Sequence, residues 1–123
     1  MTKQISTPIC FAPAIHGAEK YHEQWFLVGA DNHCLTAQDA TALDQVSLRL
    51  HMGQLQLRAP GMLRLELLLD VLEDDDEVRC QVTNLQGQTM AAIDEGDVAA
   101  VWFTHVLGRP CRLVKKDPGH PDR

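Results

Sequence analysis

The sequence predicts a strand-dominated α+β fold, a small β-barrel-like sheet with one main helix near the C-terminus, at about residues 97–107, followed by a final strand. Three observations predict it. Apolar and polar residues alternate from Val46 to Val82, the period of a half-buried strand. Turn-forming pairs, Met52-Gly53 and Pro60-Gly61, cut that stretch into hairpin lengths. Residues 97–107 have helical spacing and are bounded by Gly96 on one side and by Gly108 and Pro110 on the other.

At the front of the chain, strands at 25–28 and 33–36 flank Ala30-Asp31-Asn32, a hairpin signal. Residues 37–45 offer only about two helical turns, so they read as a loop containing a short helical turn. Val46, Leu48 and Leu50 then alternate with Ser47, Arg49 and His51. Across Met52-Gly53, Leu55 and Leu57 alternate with Gln54, Gln56 and Arg58, giving a hairpin with one wet face. Past Pro60-Gly61, Leu63, Leu65, Leu67 and Leu69 share one side and Arg64 and Glu66 the other; Leu68 falls on the wet side and marks a second contact. Val78, Cys80 and Val82 alternate with Arg79 and Gln81, and residues 89–93 continue the pattern after Gly87. In the helix, Asp97 is expected to accept hydrogen bonds from the first free amides, and Val98, Val101, Trp102 and His105 are expected to share the buried face. Cys111, Leu113 and Val114, with Arg112 between them, form the last strand. One domain therefore covers 1–116, and 117–123 reads as a disordered tail. So many one-faced strands need a closed or sandwiched sheet to hide those faces.

Composition narrows the function classes. A chain of 123 residues can bury roughly two thirds of its unfolded surface, and an apolar fraction of 45% is that of a folded globule. The formal net charge is −6, from 17 acidic and 11 basic residues, so a nucleic-acid backbone would be repelled over most of the surface. The basic cluster of Arg109, Arg112, Lys115 and Lys116 reads as a solvated strand end. The apolar stretch at 9–15 is short and interrupted at Pro13, which does not make a secretory core, and no run approaches the ~18 apolar residues of a membrane span. A cytoplasmic protein with no membrane contact is the expectation. Cys10, Cys34, Cys80 and Cys111 lack zinc or disulfide-scaffold spacing, and Cys80 and Cys111 read as small buried hydrophobes.

Candidate chemistry is sparse. The five acids at 73–77 supply hard oxygens but lack the spaced ligands and internal glycine of a calcium loop, so they read as a solvated hairpin loop. His33 adjoins Cys34, yet neighbouring strand residues point to opposite faces, which argues against a thiol activated by that base. His16, His22 and His33 could supply three nitrogens to a metal, but nothing in their spacing requires it. His105, on the expected buried stripe, reads as a hydrogen-bonded core histidine.

Three blocks in order carry a resemblance: 21–31 with Trp25, the Cys34-Leu35-Thr36 step leading to Ala59-Pro60-Gly61-Met62, and 96–114. Together the chain resembles the MOSC N-terminal β-barrel family over most of residues 5–115, the half that precedes the catalytic half in molybdenum-cofactor proteins. The resemblance implies where cofactor-holding cations would stand. A Pro-x-Lys-Ser type step is here Pro13-Ala14-Ile15-His16, an Asp-Arg-Glu-Trp type run is His22-Glu23-Gln24-Trp25, and the arginine that often follows the Leu-Thr step is absent from Leu35-Thr36-Ala37-Gln38. Ile15 and Glu23 cannot grip a phosphate as guanidinium or ammonium groups do. The catalytic half with its metal-ligating cysteine would follow Val114.

These departures imply a stand-alone binding or partner-docking module that holds no cofactor or metal and is not catalytic by itself. The rival expectation is an accessory component of a molybdenum-cofactor reductase or sulfur-carrier system, supplying substrate or cofactor contacts to a separate MOSC-type catalytic protein. Thr36, Gln38 and His16 are the candidate contact positions. A thiol enzyme using Cys34 is a third reading.

Overall fold

A computed structural model describes residues 5–17, 21, 23–68 and 79–116. Its strands are β1 (Ile5–Ser6), β2 (Ile15–His16), β3 (Trp25–Val28), β4 (Ser47–His51), β5 (Gln54–Arg58), β6 (Leu65–Leu68), β7 (Arg79–Thr83), β8 (Thr89–Asp94) and β9 (Arg112–Lys116), with helix α1 (Asp97–Leu107) between the last two. The α+β class is as expected. The sheet is not one closed barrel: β1-β2, β4-β5-β6 and β3-β9-β8-β7 form separate antiparallel sheets.

Closure fails because the expected strand at 33–36 shrinks to two isolated bridges, Val28 to Cys34 and His33 to Thr83. Beyond them Thr36 leaves the extended conformation to cap a turn. Its hydroxyl donates to Asp39 at 3.1 Å, its amide donates to the same carboxylate at 3.2 Å, and Asp39 returns its own amide to the hydroxyl at 3.3 Å. A 3₁₀ helix at Thr41–Gln45 follows, the short helical turn expected there. Residues 33–34 thus tie the two outer strands of the four-stranded sheet, β3 and β7, at a single point.

The central hairpin follows from its alternation. Leu48 opposes Leu57 and Leu50 opposes Leu55, while Met52 and Gly53 take φ of 49° and 80°, the two positive angles of a tight two-residue hairpin turn. Two expectations fail here. Gln56, placed on the wet face, is buried because β5 is the middle strand, and its amide donates to Glu66 Oε2 at 3.0 Å. Leu63, placed inward, is 88% exposed: it precedes β6, and its carbonyl accepts the Trp102 indole N–H at 2.6 Å, which fixes the backbone with the side chain outward. Leu68 is exposed, as its wet-side register requires.

The four-stranded sheet is apolar on both faces. On one, Trp25, Leu27 and Leu113 pack with Leu55, Leu57, Leu65, Trp102 and Phe103 into the main core between α1 and the two larger sheets. On the other, Phe26, Val28, Val82, Ala92 and Val114 form a smaller cluster. Lys115 is buried, its ammonium 5.5 Å from the centre of the Trp25 ring.

Helix α1 has the expected span but turns another face inward. Ala99, Ala100, Trp102 and Phe103 are buried, whereas Val98 is 77% exposed, Val101 59%, and His105 is exposed rather than a core histidine. Alanines at the contact let the helix lie close to β9. The cap also differs. Asp97 accepts no capping bond; Asp94 Oδ1 accepts the Gly96 amide at 2.8 Å, and Gly96 itself, at φ 103°, is the N-cap residue. Arg112 grips Asp94 at 2.6 and 3.1 Å and reaches Asp97 at 2.8 Å. Gly108, at φ 71°, ends the helix with its amide on the Thr104 carbonyl at 2.8 Å. Asp94→Ala is therefore expected to cost about 1–2 kcal/mol in urea unfolding, as loss of a capping side chain does. Asp97→Ala, removing a side chain that is 90% exposed, should stay within about 0.5 kcal/mol; the reverse order would return the cap to Asp97.

The acidic run at 73–77, Leu69, Val78, His22 and the tail at 117–123 lie outside the described residues. Among the described residues no helix is long and apolar enough to cross a membrane.

Candidate functional site

The free edge of β3 is shared by two segments. Ile9 bridges Trp25 in parallel, with Cys10 N–H on the Trp25 carbonyl at 2.9 Å. Farther along the same edge Leu35 N–H bonds the Leu27 carbonyl at 2.9 Å and Cys34 stands opposite Val28. Cys10 and Cys34 therefore lie end to end along one strand, and both pack on the cluster around Phe26. Over them opens a cleft of about 380 Å³, lined by both cysteines, Phe26 and Met90, with exposed Glu23 and Lys116 on its rim.

Two residues at this cleft hold left-handed backbone that glycine normally takes: Phe11 at φ 71° and Glu23 at φ 51°. Each costs about 1–2 kcal/mol relative to ordinary conformations. The Glu23 amide is held on the Thr7 carbonyl at 2.7 Å, which brings the segment before β3 against the cleft.

The electrostatics keep the thiols protonated at neutral pH. Burial, and then the neighbouring Cys10, push the Cys34 thiol up to about 11. Burial likewise pushes Cys10 up, reinforced by Glu23 and opposed by Lys116. Cys80, packed on the same cluster, and the buried Cys111 are also raised by burial. All four cysteines are free thiols. His33 does not serve Cys34: it is exposed, with Nδ1 3.2 Å from the Asp31 carbonyl oxygen and 3.4 Å from its carboxylate.

The positions singled out from the sequence lie elsewhere. His16 is exposed at the end of β2, opposite Ile5. Thr36 and Gln38 are exposed on the turn that Thr36 and Asp39 close. None of the three lines the cleft, although Leu35 and Ala40, which flank that turn, do. The Asp39 carboxyl is held below its usual range by the Thr36 amide and hydroxyl and by Arg109, whose guanidinium sits at 2.8 Å. Arg109 and Arg112 are thus both committed to carboxylates and Lys115 is buried, so the basic cluster is largely internal wiring. With His22 outside the described residues, the three-histidine arrangement has no described geometry; among the described residues no three His, Cys, Asp or Glu side chains come together as a metal site.

The outer side of α1 is the second feature. Val98 borders a 250 Å³ groove shared with Leu68, and Val101 borders another with Ala30 and Pro110. Sequence reasoning missed both features. The cysteine cleft joins residues 10, 34 and 90, which no local spacing connects. The helical spacing of Val98 and Val101 with Trp102 points them inward, whereas both are exposed.

A family model, the MOSC N-terminal beta barrel domain, matches residues 14–110. Among curated proteins, the chain is 25% identical over 100 residues to a molybdenum cofactor sulfurase of Danio rerio, covering 80% of this chain and 12% of that protein. It is 33% identical over 98 residues to mitochondrial amidoxime reducing component 2 of Bos taurus, covering 80% of this chain and 28% of that one. The chain therefore spans only a small part of these relatives. The solution structure of a Bordetella bronchiseptica protein, solved as a structural genomics target, is similar throughout, with a TM-score of 0.82 and 38% identity, covering 100% of this chain and 95% of that one.

Proposed function

The chain belongs to the MOSC N-terminal beta barrel domain family, and from that premise we propose that it is a binding or partner-docking module, not catalytic by itself, whose partner is a separate MOSC-type catalytic protein. The observation that carries this reading is the outer face of α1. Val98 and Val101 are 77% and 59% exposed, and Leu68, 54% exposed, stands across the groove from Val98. Adjacent large apolar side chains left open on a helix are the composition of a contact surface. The curated relatives carry this domain within much longer chains, which supports a second body of MOSC type as the occupant.

The molybdenum cofactor itself does not fit the residues present. A phosphate needs cations, whereas the corresponding places hold Ile15, Glu23 and Gln38, and at the cleft rim the one lysine among the described residues, Lys116, is offset by the Glu23 carboxylate. The isolated chain is expected to carry no molybdenum, to retain no pterin through gel filtration and to leave N-hydroxylated substrates unreduced. Stoichiometric molybdenum on the purified chain would overturn the reading.

Docking is tested by mixing the chain with a separately expressed MOSC-type catalytic protein of the same organism and measuring sedimentation. A complex is expected, and Val98→Lys and Val101→Lys should each abolish it with circular dichroism unchanged. No complex with the parent chain, or a complex indifferent to both substitutions, would refute it. The second reading, an accessory that supplies substrate or cofactor contacts, is favoured by the exposure of Thr36 and Gln38 beside cleft residues Leu35 and Ala40. Cofactor retained only in the mixture, and lost on substitution of Thr36, Gln38 or His16, would select it.

A further inference from the structure

We propose that Cys10, Cys34 and Met90 form a soft-metal site that takes up Cu(I) in the cleft beside β3. The site is independent of docking, since the cleft and the outer face of α1 share no lining residue.

The placement of these three residues carries the argument. Cys10 stands beside Phe26 and Cys34 opposite Val28, two residues farther along the same strand edge. The spacing of a strand puts the two cysteine backbones roughly 6.4–6.8 Å apart. That is the wide end of the ~4.4–6.8 Å that disulfide Cα pairs span, and it leaves room for an ion held between the two sulfurs. Both cysteines pack on the Phe26 cluster, and Met90 packs on it too and lines the same cleft. Two thiols and a thioether in an apolar recess are soft donors that select Cu(I) over hard cations. Zinc would want four ligands, and among the described residues no third His, Cys, Asp or Glu joins the pair. Cu(I) is content with two or three sulfurs.

Binding balances without a redox step. Each thiol gives its proton to solvent as its sulfur coordinates, Met90 contributes a lone pair without a proton, and copper remains Cu(I) throughout. The two thiolates and one monovalent ion leave one negative charge, which Lys116 on the rim offsets. Because each thiol must lose its proton to coordinate, protons compete with the metal and affinity rises with pH.

The test is an anaerobic titration of the reduced full chain with Cu(I), in competition with a chromophoric Cu(I) chelator. One equivalent should be retained, with a near-ultraviolet thiolate-to-copper band and up to two protons released per ion. Cys10→Ser and Cys34→Ser should each weaken binding by more than about 100-fold, beyond the effect of losing an outer contact. Cys80→Ser and Cys111→Ser should leave it unchanged. Should a serine variant fail to fold, alkylation of the parent chain followed by mass spectrometry serves instead: bound copper should protect Cys10 and Cys34. Copper-dependent protection of Cys80 or Cys111 in place of the pair, no retained copper, or formation of a Cys10–Cys34 disulfide with a small disulfide oxidant in a chain that binds no copper would each overturn the proposal.

Discussion

Trp25→Ala is expected to lower the unfolding free energy by about 3–5 kcal/mol, the range for truncating a large buried aromatic. Trp25 is 0% exposed in the main core, and it does three things there. Its ring fills the space between β3 and the sheet at β4-β5-β6, its indole N–H donates to Glu95 Oε2 at 2.6 Å, and the buried Lys115 ammonium lies over it. Alanine removes the volume, the donor and the π face together. Trp25→Phe keeps a π face and much of the volume but loses part of the ring system and the charge-assisted hydrogen bond, so about 1.5–3 kcal/mol is expected. Urea unfolding followed by circular dichroism separates the two. A loss under about 1 kcal/mol for alanine would mean that the core collapses around the site, and the central place given to Trp25 would be wrong.

The strands were legible because their information is local. Leu48 and Leu50 against Leu55 and Leu57, with a two-residue turn between them, specify a hairpin and its register without reference to the rest of the chain. The helix was legible in extent for the same reason: Gly108 stops it whatever lies nearby. Its orientation was not. Val98, Ala99, Ala100, Val101, Trp102 and Phe103 make much of the circumference apolar, so the period alone selects no face, and the choice falls to which side can approach β9. Small Ala99 and Ala100 win that choice over the bulkier valines. The cap failed similarly. Asp94 and Asp97 both flank Gly96, and only the pairing of β8 with β9, which brings Arg112 to Asp94, decides between them. Barrel closure depended on the strand at 33–36, where local Thr36–Asp39 capping outweighed extension of the ladder. The cleft was least legible of all, since Cys10, Cys34 and Met90 meet only when segments from three parts of the chain line up along β3 and β8.

Trp102→Ala should also cost about 3–5 kcal/mol, and its neighbour supplies the control. Trp102 is 6% exposed, stacks edge-on against Phe103 with ring centres 4.9 Å apart, and donates to the Leu63 carbonyl at 2.6 Å, so it fastens α1 to the segment entering β6. Val101, one residue earlier, is 59% exposed and points away. Val101→Ala should therefore change stability by no more than about 0.5 kcal/mol, as surface substitutions do. A barrel plugged through Val98, Val101, Trp102 and His105 would instead make both substitutions severe. The pair consequently measures which face of the helix is packed, and it does so in the isolated chain. A large loss at Val101 would place that side chain in the core and remove the exposed surface on which the docking proposal stands. A loss confined to Trp102 leaves Val101 free to act in binding, where its substitution by lysine should be felt by the partner and not by the fold.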